Sequence, residues 1–179
     1  PQQIASDPDN TFAPSFVFFL SDLKPRIWYL SSGSIHHTRR MTSSTIDPYP
    51  PETWISGVGN FAATRLNAND VAFAYTDATD TRLYYRTWTG SASTPIWTAP
   101  ADIEIGEMSL TLDSAGAVYL CFGAYNPADD LNPIYYTLHV FTNAGGSWRE
   151  LESIAGDDDA GPMASTPIAA RRSTRAVTP

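Results

Sequence analysis

The side chains best suited to chemistry in this chain are an arginine and a set of large rings. Arg26 opens an apolar run that contains Trp28, and Tyr84, Trp88 and Trp97 recur further on at strand-like spacing. A guanidinium offers several fixed N–H donors, and a ring offers a flat apolar face. Together they suit a polyol such as a sugar, which presents hydroxyls along one edge and C–H groups on another. Other combinations are weaker. His36-His37 are adjacent, and adjacent residues on a strand point to opposite faces, so they cannot grip one metal ion without a bulge. Asp157-Asp158-Asp159, and Asp7, Asp9 and Asn10, lack the spacing of a calcium loop and read as solvated acidic turns. The lone Cys121 lies inside Val118-Tyr119-Leu120-Cys121-Phe122 and reads as a buried structural thiol. No Ser-His-Asp order, nucleotide-binding loop or Cys-His array is present. The sequence therefore names no catalytic residue, metal ligand or cofactor.

Composition narrows the classes of partner. The 179 residues carry a formal charge of −8, which repels phosphate backbones, and the only basic doublets are Arg39-Arg40 and Arg171-Arg172. Nucleic acid is thus not expected as a partner. No stretch approaches the roughly 20 apolar residues of a membrane-spanning helix. With 42% hydrophobic and 12% aromatic residues the chain can bury a core. Its 14 Pro and 11 Gly, spread among Tyr, Phe and Trp, favour short strands and tight turns over helices.

The elements that must hold the rings recur along the chain. A first strand is expected at 16–20, 62–66 and 108–112, each 46 residues after the last. A turn follows each copy, and a second strand is expected at 26–30, 71–75 and 118–122. A third carries an aliphatic residue and then two rings: Ile35-His36-His37, Leu83-Tyr84-Tyr85 and Ile134-Tyr135-Tyr136. A Trp opens each expected fourth strand, at Trp54, Trp97 and Trp148. Four antiparallel strands per roughly 45 residues is the pattern of a β-propeller blade. The fold class expected is all-β: a propeller of four-stranded antiparallel blades, three of them complete at about 12–58, 59–105 and 106–155, with a partial fourth at 160–179. Thr166 to Ala170 and Arg175 to Val177 would supply that fourth unit's first strands. Incomplete closure leaves apolar sheet faces uncovered, so further blades are expected from a longer chain or from other copies.

The stretch Pro25-Arg26-Ile27-Trp28-Tyr29-Leu30-Ser31-Ser32-Gly33-Ser34-Ile35-His36-His37 resembles a blade of the fungal-type fucose-specific propeller lectins. In those an Arg opens the second strand and a Glu sits on the third. The resemblance implies that Arg26 binds sugar and that His37 stands at the Glu position. Asp70 and Ala117 precede the second-strand runs of the next two units, and Tyr85 and Tyr136 replace the Glu there. Arg175 is the matching arginine of the partial unit. The ligand-binding set expected is Arg26, Trp28, His37, Tyr84, Tyr85, Trp88 and Trp97, with a glycan as the partner. The alternatives are a structural or protein-interaction propeller without a small-molecule site, and a glycoside-acting enzyme.

Overall fold

Each apolar run becomes a strand because its side chains alternate, and alternation lets a pleated sheet bury one face or both. The computed structural model describes residues 15–22, 25–39, 52–128 and 137–155. They form three four-stranded antiparallel sheets and no helix. Sheet 1 holds β1 (Ser15–Phe19), β2 (Pro25–Ser31), β3 (Ser34–Arg39) and β4 (Glu52–Ser56). Sheet 2 holds β5 (Val58–Arg65), β6 (Val71–Asp77), β7 (Arg82–Thr87) and β8 (Thr94–Thr98). Sheet 3 holds β9 (Glu104–Leu112), β10 (Val118–Tyr125), β11 (Thr137–Thr142) and β12 (Arg149–Ala155). Within each sheet the strands pair in chain order. The expected partial fourth unit, 160–179, lies outside the described residues, as do Tyr135, Tyr136 and Arg175.

The three sheets stack, with sheet 2 in the middle. Val71, Phe73 and Tyr75 of β6 share a core with Trp28, Leu30 and Ile35 of sheet 1. Ala72 and Ala74, on the other face of β6, share a core with Leu110, Leu120 and Phe122 of sheet 3. Six consecutive residues of β6, Val71 to Thr76, are therefore buried, whereas buried and half-buried residues alternate along β10. Large side chains thus enter sheet 2 from one side and small ones leave room on the other. Main-chain hydrogen bonds join the layers: Ser21 N–H donates to Ala68 O (2.6 Å) and Val58 N–H to Gly33 O (2.9 Å) between sheets 1 and 2, and Ile105 N–H to Asp80 O (2.7 Å) between sheets 2 and 3.

The fourth strands depart from the expected register. A bulge lies between β3 and β4 at Ile35/His36, between β7 and β8 at Leu83/Tyr84, and between β11 and β12 at Val140/Phe141. Each bulge absorbs an extra residue on the fourth strand. Trp97 consequently pairs with Leu83, while Trp54, between Thr53 and Ile55, is itself the extra residue of its bulge. Trp148 precedes β12, just past Gly145 and Gly146 with φ of 93° and 89°. The three tryptophans do not hold equivalent positions, and Val58, expected at the end of a fourth strand, opens β5 instead.

Candidate functional site

The candidate site lies in the slot between sheets 1 and 2. Pro25 can start β2 because a first strand position needs no ladder donor, and Arg26 follows on the face turned to sheet 2. Its Nη2 donates to Asp22 Oδ2 across the β1–β2 turn at 2.9 Å, with the two side chains 16% and 34% exposed. Two residues on, Trp28 lies on the same face and is 0% exposed. His37 is its direct partner on β3 and is 6% exposed. The ring of Trp28 sits 4.9 Å from His37, 5.6 Å from Phe73 and 5.6 Å from Trp88. Trp88 reaches in from sheet 2, its N–H held by Val71 O at 2.8 Å, and its ring lies 4.4 Å from that of His37.

Four expected site residues, Arg26, Trp28, His37 and Trp88, are thus brought together. Tyr84 shares the slot-facing side of β7 but sits farther along, stacked on Tyr75 at 5.5 Å. Tyr85 and Trp97 go elsewhere. Neighbouring residues on a strand point to opposite faces, so Tyr85 faces sheet 3 and lies 5.2 Å from Trp148. Trp97 packs on Phe122 and His139 of sheet 3, at 5.2 Å and 5.0 Å. Burial pushes the Tyr85 phenol up, and Asp70 adds to the effect, so it stays protonated and able to donate. His36 faces away from the slot, stacked on Tyr29 at 5.4 Å, so the adjacent histidines do not converge on one point.

Two slot residues were not expected from the sequence. Trp54 lies 4.4 Å from Phe73 and 5.4 Å from Trp88. The Arg86 guanidinium carbon sits 5.0 Å over the Trp54 ring, and its Nε donates to Gly90 O at 3.0 Å. Arg86 was legible in principle: it shares parity with Tyr84 and Trp88, so it had to share their face. Two donors in the slot, Arg26 Nε and Trp28 Nε1, are buried and have no hydrogen-bond partner among the described residues. Leaving a buried donor unmatched costs about 1–3 kcal/mol, which an acceptor entering beside them would recover.

The corresponding slot between sheets 2 and 3 is built differently. The pairs Phe16–Trp28 and Trp28–His37 of sheet 1 match Ala62–Ala74 and Ala74–Tyr85 of sheet 2. That register puts Ala72, not Asp70, at the place of Arg26, because the β1–β2 and β5–β6 turns both span five residues and Asp70 is the last residue of its turn. Asp70 closes its own turn, accepting from Thr89 Oγ1 at 2.7 Å. A separate open hollow of about 750 Å³ lies on the far face of sheet 3, lined in part by Glu107, Ser109, Cys121, Gly123 and Leu138. It holds none of the expected site residues, and burial pushes the Cys121 thiol up, away from a reactive thiolate.

No protein-family model and no curated protein matches the sequence. Among solved structures, the chain is similar to a fucose lectin from Kordia zhangzhouensis in complex with methyl-fucoside. The identity is 12% and the TM-score 0.43, with 76% of this chain and 96% of that chain covered.

Proposed function

We propose that this protein is a non-enzymatic, carbohydrate-binding β-propeller in which the three sheets are blades and a glycan docks between the first and second. The carrying observation is the pair of buried, unmatched donors, Arg26 Nε and Trp28 Nε1, set beside Trp88 and Trp54. Arg26, held in place by Asp22, donates to sugar hydroxyls, while Trp88 and Trp54 supply the apolar platform. His37 borders the same space. The slot between the second and third blades has Tyr85, Trp97 and Trp148 but Ala72 in place of Arg26, so the first slot is the stronger binder.

The test is glycan-array screening followed by titration of the monosaccharide that binds. Arg26→Ala should weaken that binding by about 1.5–3 kcal/mol, roughly 10- to 150-fold, the range for a hydrogen bond to a charged group. Unchanged affinity removes Arg26 from the site. A second reading, a structural propeller without a ligand site, is favoured by the burial of Trp28 and His37, which fill the slot themselves. It predicts no glycan binding and a loss of stability in Trp28→Ala.

A further inference from the structure

A sugar hydroxyl brings a proton of its own, so a site for a neutral sugar must offer acceptors as well as donors. The slot between sheets 1 and 2 is one-sided in this respect. Arg26 Nε and Trp28 Nε1 are buried donors with no partner among the described residues. Arg86, on the facing side of β7, donates from Nε to Gly90 O at 3.0 Å and holds its guanidinium carbon 5.0 Å over the Trp54 ring. Its two terminal nitrogens make no hydrogen bond or ion pair among the described residues. Trp88 links the two arginines, with its ring 5.6 Å from that of Trp28 and 5.4 Å from that of Trp54. The carboxylates near the slot are engaged or exposed. Asp22 Oδ2 accepts from Arg26 Nη2 at 2.9 Å. Asp70 accepts from Thr89 Oγ1 at 2.7 Å and from the Val71 and Thr89 N–H groups at 2.9 Å and 3.1 Å. Glu52, the ladder partner of His37, is exposed, where water and salt screen its charge.

We propose that the sugar taken by this slot is an acidic one, whose anionic group, a carboxylate or a sulfate, meets the unmatched donors of Arg26 and Trp28 in the field of Arg86. An anionic group only accepts, so it satisfies both donors without stranding a proton among groups that cannot take it. Its hydrogen bonds to a guanidinium have both partners ionised and are stronger than those of a neutral hydroxyl. Arg26 is the second residue of β2, at the end of the slot, and its side chain is 16% exposed, so the donors are reached from that end. The rings of Trp88 and Trp54 then lie against the uncharged part of the sugar. The inference rests on the reading of this slot as a glycan site and adds the class of glycan that fits it.

Calorimetric titration of the full chain at pH 7 in low salt tests it. The probes are the methyl glycosides of glucose and galactose, each beside its uronate, the methyl ester of that uronate and its 6-sulfate. A uronate or a 6-sulfate should bind about tenfold tighter than its neutral parent, the difference between a hydrogen bond to a charged group and a neutral one. Which of the two gains identifies the anionic group, and esterifying a uronate that gains should erase the preference. Raising the salt to about 0.5 M should weaken the acid form several-fold and leave the neutral parent unchanged. Arg86→Gln, checked for folding by far-ultraviolet circular dichroism, should cut the acid preference by about threefold. Asp22→Asn keeps an acceptor for Arg26 and removes a competing charge, so it should raise that preference; a merely structural role for either residue would move acid and neutral forms alike. Neutral parents that bind as tightly as every acid form would overturn the inference, as would an ester as tight as its acid or a preference untouched by both variants. Neutral sugar binding that is lost in Arg26→Ala would leave the proposed function standing while this inference fails. Binding of no probe, acid or neutral, on the glycan array or in solution removes both.

Discussion

Phe73→Ala is the most direct test of the packing between sheets 1 and 2. Phe73 is fully buried at the centre of β6, with its ring 4.4 Å from Trp54, 5.6 Å from Trp28 and 6.4 Å from Phe61. Removing a buried Phe side chain costs about 3–5 kcal/mol in transfer free energy and residual cavity. Sheets 1 and 2 meet it with large rigid rings that cannot collapse into the gap, which argues for the upper half of that range. A domain of ordinary stability has about 5–15 kcal/mol in total, so the variant should fold but with much of its margin gone. Urea unfolding read by tryptophan fluorescence suits the measurement, because Trp28, Trp54 and Trp88 all belong to this core. With a urea m-value of about 2 kcal/mol per M, the midpoint should drop by about 2 M. Leu151→Ala on β12, an exposed position, is the control and should stay within about 0.5 kcal/mol. A midpoint shift below about 0.5 M for Phe73→Ala would refute the stacking of sheet 1 on sheet 2.

Two further outcomes follow from the turns. Ser32 adopts φ 50° beside Gly33 at φ 66° in the two-residue β2–β3 hairpin; Ser32→Asn, better suited to the left-handed region, should stabilise by about 0.5 kcal/mol, read as a small rise in Tm. Burial pushes the Asp80 carboxyl up, against the hydrogen bond from Thr76 Oγ1, and Glu104 and Asp77 push it further. A carboxyl raised on folding favours its protonated form in the native state, so its contribution is greatest at low pH. That contribution is lost as pH rises from the ordinary carboxylate range through the raised folded value. Asp80→Asn keeps an acceptor for Thr76 and tolerates the φ of 53°, so it should raise Tm at pH 7. The gain should vanish in acid, and thermal melts from pH 3 to 8 would expose a gain that persists there.

The sequence by itself determined the elements and their order. Runs of aromatic and β-branched residues and a 46-residue recurrence marked the strands, whereas the burial of Val71 to Thr76 on both faces of β6 came only from the stack. The sequence also brought Arg26 and Trp28 onto one face, since they are two residues apart. What it could not determine is which neighbour each face meets, because alternation sorts side chains into two sets without saying what covers either. Trp28 was eligible as an exposed platform until the Phe73 ring and Trp88 closed over it. Tyr84 and Tyr85 looked like one ring pair until the pleat sent them to different junctions. The fourth strands escaped because a bulge changes register without changing composition: Trp54, Trp97 and Trp148 each come near a fourth strand, yet one is the extra residue of a bulge, one is paired and one precedes its strand. Parity could place Arg86 on the face of Tyr84 and Trp88, but its seat over Trp54 was out of reach. Its partner lies on another sheet, and only stacking brings the Arg86 guanidinium carbon to 5.0 Å from the centre of the Trp54 ring.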